Sequence, residues 1–212
     1  MTTLRIVEIY RSIQGESTRA GLPCTFVRLA GCPLRCRWCD TVYSFKGGDE
    51  LGFDSIFQQI DDYGIGLIEV TGGEPLAQPK TPELLQALCD RYDEVLLETS
   101  GSFPVADLDP RVGVIMDLKA PGSGEESRNL WSNLEHLKDG DELKIVIADR
   151  TDYQWAKAVI EEHSPQVPIL FSPVFGELEP AELSDWILSD RLAVRMQLQQ
   201  HKYIWEPEAR RT

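Results

Sequence analysis

Polar and apolar positions along the chain change period in a regular order. The opening segment RIVEIYRSIQGE alternates and then breaks at Gly15, which predicts a strand running into a loop. CTFVRLAG, from Cys24 to Gly31, is short and β-rich, the pattern of a buried strand. A loop rich in Pro, Gly and charge follows. Beyond it the pattern predicts helix Phe53–Asp62, strand Leu67–Thr71, helix Pro82–Tyr92 and strand Glu94–Thr99. Strand Val112–Leu118, a short helix near Arg128–Leu137, strand Glu142–Ala148 and helix Asp152–Glu162 come next. Strand Pro168–Phe171, helix Pro180–Ser189 and strand Ala193–Leu198 complete the series.

This alternation argues for an α/β fold of mostly parallel strands with crossover helices. A closed eight-unit barrel uses about 250 residues, with about 200 as the floor. The 212 residues supply fewer than eight strand–helix units, so an incomplete, TIM-like barrel is expected. No repeat, linker or low-complexity run divides the chain, and a single domain over 1–212 is the simplest account. Active sites of such sheets sit at the carboxyl ends of the strands.

Composition narrows the class. Hydrophobic residues make up 42%, enough for a core. No apolar run nears the roughly 20 residues that cross a bilayer, and MTTLRIVEIYRS lacks a charged leader and apolar stretch. A cytoplasmic protein with no membrane partner is expected. With 21 basic and 35 acidic residues the formal charge is −14, opposite in sign to a phosphate-binding surface. A small-molecule substrate is favoured over direct action on nucleic acid.

Of five cysteines, three crowd into GCPLRCRWCDT as Cys32, Cys36 and Cys39, a poor disulfide framework and a good metal loop. Cys24 and Cys89 read as plain buried thiols. Thiolates suit zinc or an iron–sulfur cluster. Structural zinc wants four protein ligands, and His136, His163 and His201 are remote and unpaired in sequence. Three cysteines with one iron left open suit a cluster that binds a ligand of its own; zinc with a distant fourth ligand is the alternative. Thr71-Gly72-Gly73-Glu74-Pro75 follows the apolar run LIEV at a strand end. By itself such a turn is a weak signal, though two glycines admit a ligand close to the backbone.

Cys32-x-x-x-Cys36-x-x-Cys39, with Trp38 before the last cysteine, resembles the signature of the radical S-adenosylmethionine superfamily. That resemblance implies a [4Fe–4S] cluster whose open iron chelates the cofactor's methionine amine and carboxylate. Electron transfer then cleaves the cofactor to a 5′-deoxyadenosyl radical. The GGEP turn is similar to the element that receives the cofactor's amino group, with Gly73 in contact.

Flanking residues narrow the resemblance. Ile13-Gln14-Gly15-Glu16, Phe26-Val27-Arg28-Leu29-Ala30-Gly31-Cys32 and Cys39-Asp40-Thr41 together resemble the 7-carboxy-7-deazaguanine synthase family, as does the ending QLQQHKYIW. The likeness runs from Glu8 to Trp205. It implies a lyase that turns 6-carboxy-5,6,7,8-tetrahydropterin into 7-carboxy-7-deazaguanine with loss of ammonia, on the route to queuosine. The cofactor is regenerated each turnover and Mg²⁺ is required. An electron donor such as flavodoxin and a homodimer are further implied, and tRNA is modified only later.

Carried over by position, Ile13, Gln14, Gly15 and Glu16 border the pterin, Arg28 meets its carboxylate and Thr71 adds a hydrogen bond. A carboxylate suits the donor edge of an aminopyrimidinone, and a guanidinium fork suits a carboxylate. The plainer reading of Arg28 is a surface ion pair. Thr41 maps onto the Mg²⁺ ligand, although Asp40 looks better by charge. Ser100, Asp117, Lys119 and Ser172, at predicted strand ends, are candidates for the cofactor, with Glu98 and Lys144 weaker ones. Polar residues at strand ends also serve structure.

Two departures stand out. Glu16-Ser17 replaces the Glu-Gly of many members, and the tail runs past Trp205 as EPEARRT, so a C-terminal substrate contact does not carry over to Thr212. The rival readings are another radical enzyme, such as a small glycyl-radical activase, and a zinc-binding interaction module. The block Gln14-Gly15-Glu16 with Arg28 and Thr41 speaks against the first, and metal content would separate the second.

Overall fold

A computed structural model describes residues 2–207 and 209–211. Its strands are β1 Thr3–Ile13, β2 Pro23–Leu29, β3 Asp49–Gly52, β4 Leu67–Gly72, β5 Glu94–Thr99, β6 Gly113–Leu118, β7 Glu142–Ile147, β8 Ile169–Pro173 and β9 Arg195–Met196. Its helices are α1 Phe53–Asp61, α2 Thr81–Cys89, α3 Arg150–His163, α4 Pro180–Asp190 and α5 His201–Ile204. These nine strands join one sheet in the order β3-β1-β2-β4-β5-β6-β7-β8-β9. From β2 through β9 every neighbouring pair is parallel, while β1 runs antiparallel to both β2 and β3. β3 and β9 are edges, so the barrel is open, as its length implied.

Period-two alternation gives the sheet two unlike faces. Val27, Leu29, Ile68, Val70, Leu97, Met116 and Ile145 join the apolar stripes of the helices in one cluster, among them Ile56 and Ile60 of α1 and Leu84, Leu85 and Leu88 of α2. Burying each such side chain contributes about 1.5–3 kcal/mol. The intervening positions face the other way. At the amino ends of the strands they remain apolar, with Tyr10, Cys24, Phe26, Leu67, Leu96 and Ile115 in a second cluster. Two residues further along the same strands stand Arg28, Glu69, Glu98 and Asp117, with Lys144 beside them on β7.

Local chemistry explains the boundaries. Asp149 caps α3 by accepting from Thr151 N at 2.8 Å and Asp152 N at 3.0 Å. β3 escaped the pattern because DELG is polar, largely exposed and made a strand only by pairing with β1. The helix expected near Arg128–Leu137 is instead two 3₁₀ stretches, Glu126–Arg128 and Trp131–His136. Asn129 exchanges hydrogen bonds with the Lys119 backbone, and Asn133 ties down the carbonyls of Gly101 and Phe103. Side chains that bond remote backbone this way compete with a helix. β9 keeps two of its six expected residues; Gln197, just after it, still donates its N to the Phe171 oxygen of β8, while its side chain accepts from Ser17 N in the loop after β1. No helix among the described residues is long and apolar enough to cross a membrane.

Candidate active site

The three clustered cysteines lie between β2 and β3, with free, half-buried thiols. Arg35 braces their loop by donating to the carbonyl oxygens of Cys32 at 2.8 Å and Leu34 at 2.6 Å. Burial pushes the Cys36 thiol up to about 11 and raises Cys32 as well. A bound metal must therefore supply the charge that holds them as thiolates. Among the described residues no three His, Cys, Asp or Glu side chains converge on a position for a single ion. The fourth ligand of a zinc site is thus missing, whereas each iron of a cluster takes one thiolate and lets the sulfurs stand apart. The donor set fits a cluster.

Gly72 and Gly73 bring the end of β4 against this loop. A Cβ on Gly73 would lie 2.3 Å from the Gly31 carbonyl oxygen and 2.7 Å from Cys32 Cβ; one on Gly72 would lie 2.4 Å from the Leu29 oxygen. Glu74, fully buried, then locks β4 to β5 by accepting from Thr99 Oγ1, Ser100 N and Ser100 Oγ. The Ser100 hydroxyl, also bonded to Ser102, is accordingly committed to this brace.

A bulge in β1 prepares the Arg28 end. Between Ile6 and Glu8 the register shifts, so that Ile6 and Ile9 face the helices while Glu8 and Tyr10 face inward. Glu8 thereby opposes Arg28, whose Nε donates to Glu8 Oε1 at 2.9 Å and whose Nη2 donates to Tyr10 Oη at 2.8 Å. Tyr43 Oη donates to the same Glu8 oxygen. Arg28 is thus a largely buried, paired cation and not the surface pair of the plainer reading; burial lowers its pKa, but Tyr10, Tyr43 and Glu8 more than restore it. Its Nη1 donates to no partner among the described residues, which leaves that edge for a carboxylate.

Lys144 is the centre of the inner face. Its ammonium lies 2.8 Å from Glu16, 2.5 Å from Glu98 and 3.5 Å from Asp117. Burial lowers the Lys144 pKa, yet these three carboxylates drive it well above its ordinary value. Burial raises Glu98, but Lys144 and the Thr71 hydroxyl, 3.0 Å away, hold it down to about 2. Glu69 behaves oppositely: burial and its neighbours Glu98 and Glu16 push it well above the carboxylate range, and Gln14 donates to it. Asp117 pairs with Lys119 at 3.0 Å.

The loop after β1 lies across this face. Gln14 and Leu22 close its base at 2.8 Å, and Gln200 N donates to the Gly15 oxygen at 2.9 Å. A Cβ on Gly15 would meet His201 Nδ1 at 2.5 Å, which explains the glycine. Ser17 sits at φ +63°, the reason glycine suits this position; a left-handed non-glycine residue costs about 1 kcal/mol. Ser17 Oγ offsets this by accepting from Arg19 N at 3.0 Å.

Among the described residues six buried side-chain polar atoms have no partner: Ser12 Oγ and Thr25 Oγ1 near the amino ends of the parallel strands, and Glu16 Oε1, Asp117 Oδ1, Ser172 Oγ and Gln197 Nε2 beside the charged inner face. Buried polar groups are almost always bonded, so orphans gathered on one face mark where a polar ligand binds. Thr41 stands 3.8 Å from Cys39 Sγ through its hydroxyl, and Asp40 is engaged by Lys202 at 3.0 Å. From the tail, Arg211 lies 3.5 Å from Glu8 and Arg210 stacks on Tyr43; Thr212 lies outside the described residues. Ile13 ends β1, directly before the loop that carries Glu16.

Sequence reasoning missed Glu8 and Glu69 and underrated Glu98 and Lys144. The signal was present, because LIEV and LLET each set one charge, and ELKIVI two, inside a β-rich run, where charges are rarely buried unpaired. A shallow hollow lined by Trp131, Trp155 and His163 lies against α3 and includes none of these residues.

Known proteins resemble this chain in sequence and in fold. The radical SAM superfamily model matches residues 26–115. A 7-carboxy-7-deazaguanine synthase of Chlorobaculum tepidum is 51% identical, over 98% of this chain and 96% of its own. That of Koribacter versatilis is 42% identical, over 98% and 99%. The crystal structure of QueE from Escherichia coli superposes with a TM-score of 0.78 at 21% identity, covering 94% of this chain and 95% of that one, which shows the common fold. Membership of the superfamily implies the [4Fe–4S] cluster and S-adenosylmethionine that the cysteine loop and glycine turn fit. Identity of this extent over nearly the whole length places the chain in the 7-carboxy-7-deazaguanine synthase family of radical SAM enzymes.

Proposed function

We propose that this chain, acting as a single radical SAM domain, converts 6-carboxy-5,6,7,8-tetrahydropterin into 7-carboxy-7-deazaguanine and ammonia, in the biosynthesis of queuosine and related 7-deazapurines. Product plus ammonia accounts for every atom of the substrate, so there is no net redox change and the cofactor can be returned. The observation that carries this reading is the set of unpartnered buried polar atoms on a charged inner face, beside a three-thiol loop. When bound, cluster and S-adenosylmethionine supply the electron and the 5′-deoxyadenosyl radical.

The side chains position the pterin and keep water away. Arg28 takes the substrate carboxylate on its free edge, while Glu8, Tyr10 and Tyr43 fix the guanidinium plane. Glu16, held on one oxygen by Lys144, offers the other to the amino edge of the ring. Lys144 keeps Glu98 ionised as an acceptor, and Thr71 with Glu98 lines the same wall. Gly73 leaves room for the cofactor's amino acid end; Asp117, Lys119 and Ser172, with the backbone at Ser100, face its nucleoside. Thr41 gives Mg²⁺ a hard oxygen, the remaining positions going to water and substrate. An electron carrier such as flavodoxin, a homodimer and a cytoplasmic setting complete the proposal.

The test is an anaerobic assay of reconstituted protein with the pterin, S-adenosylmethionine, Mg²⁺ and a reductant, followed by mass spectrometry. Deazaguanine formed in excess of cofactor consumed is the expected result. If 5′-deoxyadenosine accumulates without deazaguanine, the substrate assignment is wrong.

A further inference from the structure

The loop that carries Glu16 is fastened at a point no substrate contact explains. Glu142, at the start of β7 and 2% exposed, receives Thr18 N at 3.1 Å on each carboxylate oxygen, and the Thr18 hydroxyl donates to it as well. Arg19 closes the arrangement, with Nη1 2.6 Å from Thr18 Oγ1 and 3.3 Å from Glu142, and Nε 2.8 Å from Glu94. These contacts join positions 124 residues apart in sequence.

Glu142 and Lys144 are alternate residues of one strand and share its inner face. Thr18 and Glu16 are alternate residues of the loop, with Ser17 turning between them at φ +63°. The loop therefore stands on β7 by two rungs, Thr18 on Glu142 and Glu16 on Lys144. A carboxylate that accepts both a backbone N–H and a hydroxyl fixes its donor in distance and in direction. The second rung is a single Lys–Glu contact on a flexible stem and fixes only distance. The backbone beside Glu16 is also held, Glu16 N by Gln14 Oε1 at 2.7 Å and Ser17 N by Gln197 Oε1 at 2.9 Å, and the first rung adds the directed anchor on β7 that sets how far the free Glu16 oxygen reaches over the face.

We infer that Glu142 is a positioning residue for the pterin, acting through Thr18 to hold the Glu16 carboxylate at the depth where its free oxygen meets the substrate's amino edge. This rests on the proposed reaction for the identity of the substrate, but the clamp itself does not.

The experiment pairs anaerobic steady-state kinetics with hydrogen exchange on the reconstituted full chain, comparing Glu142→Gln, Thr18→Val and Glu142→Asp with wild type. Loss of one charge-assisted contact predicts a KM for the pterin raised about tenfold in Glu142→Gln and less in Thr18→Val. Cluster absorbance, kcat and the KM for S-adenosylmethionine stay at wild-type levels, and Glu142→Asp recovers part of the loss. Without substrate, amides of residues 15–21 exchange faster in Glu142→Gln while those of β4 and β5 do not. An unchanged pterin KM in both Glu142→Gln and Thr18→Val, alongside a lowered Tm, would make Glu142 merely structural and overturn the inference. If wild type forms no deazaguanine, the reaction fails and exchange alone judges the clamp: protection lost only in 15–21 upholds it, and unchanged protection overturns it.

Discussion

On β5, Leu97 points outward into the helices and Glu98 inward; on β6, Met116 and Asp117 divide in the same way, as do Ile145 and Lys144 on β7. One face is held by non-directional apolar burial, the other by paired charges. The outer face gains stability from every residue it buries. The inner face recovers at best the desolvation cost of its charges, and it leaves Glu16 Oε1, Asp117 Oδ1 and Ser172 Oγ among its unpartnered polar atoms. Its arrangement makes sense for binding a polar ligand, and the outer face is what makes such an inner face tolerable.

The cysteine loop belongs to neither face, which gives the largest effect. Cys36→Ala should abolish turnover and the absorbance of the cluster while leaving the apoprotein's unfolding transition close to wild type, read by anaerobic assay and circular dichroism. Full activity in any of the three cysteine variants would overturn the ligand assignment.

Lys144→Met comes next. Removing the cation leaves Glu16, Glu98 and Asp117 facing one another, at a cost of about 3–5 kcal/mol at neutral pH. Denaturant titration should show part of that cost recovered at lower pH, where protonation of Glu98, no longer held down by Lys144, relieves the repulsion. Leu97→Ala costs about 3 kcal/mol through the cavity it leaves, but equally at both pH values and without raising the KM of the folded enzyme. A Lys144→Met penalty independent of pH would erase the distinction between the faces.

The smallest effect is a slope. Glu98 is held at about 2 against an ordinary 4.5. Its folded pKa is depressed, so its contribution is present above about pH 4.5 and is lost as pH falls toward 2. Over that window the stability of wild type should fall more steeply than that of Glu98→Gln. Equal slopes would show that Lys144 does not hold Glu98 ionised.

How much of this could be read beforehand follows the same division. Apolar period and turn chemistry placed most strands and helices, because outer-face burial is local in sequence pattern. The cysteine spacing was legible for the same reason, its three thiols lying within eight residues. Glu8 was not, since only the bulge before it turns it inward to meet Arg28. Nor was the support of Glu16, which comes from Lys144 and Glu142 well over a hundred residues away. The 3₁₀ stretch Trp131–His136 read as a helix because the remote partners of Asn129 and Asn133 leave no trace in periodicity.

The central claim is that the inner face binds the pterin independently of the loop that holds the cluster. It is tested most directly by measuring the pterin KM and the cluster absorbance, at roughly 400 nm where thiolate-bound iron absorbs, on one preparation of Arg28→Ala. Losing the charged fork should raise KM about 10- to 100-fold with the absorbance unchanged. An unchanged KM, or loss of the absorbance along with the activity, would contradict the account.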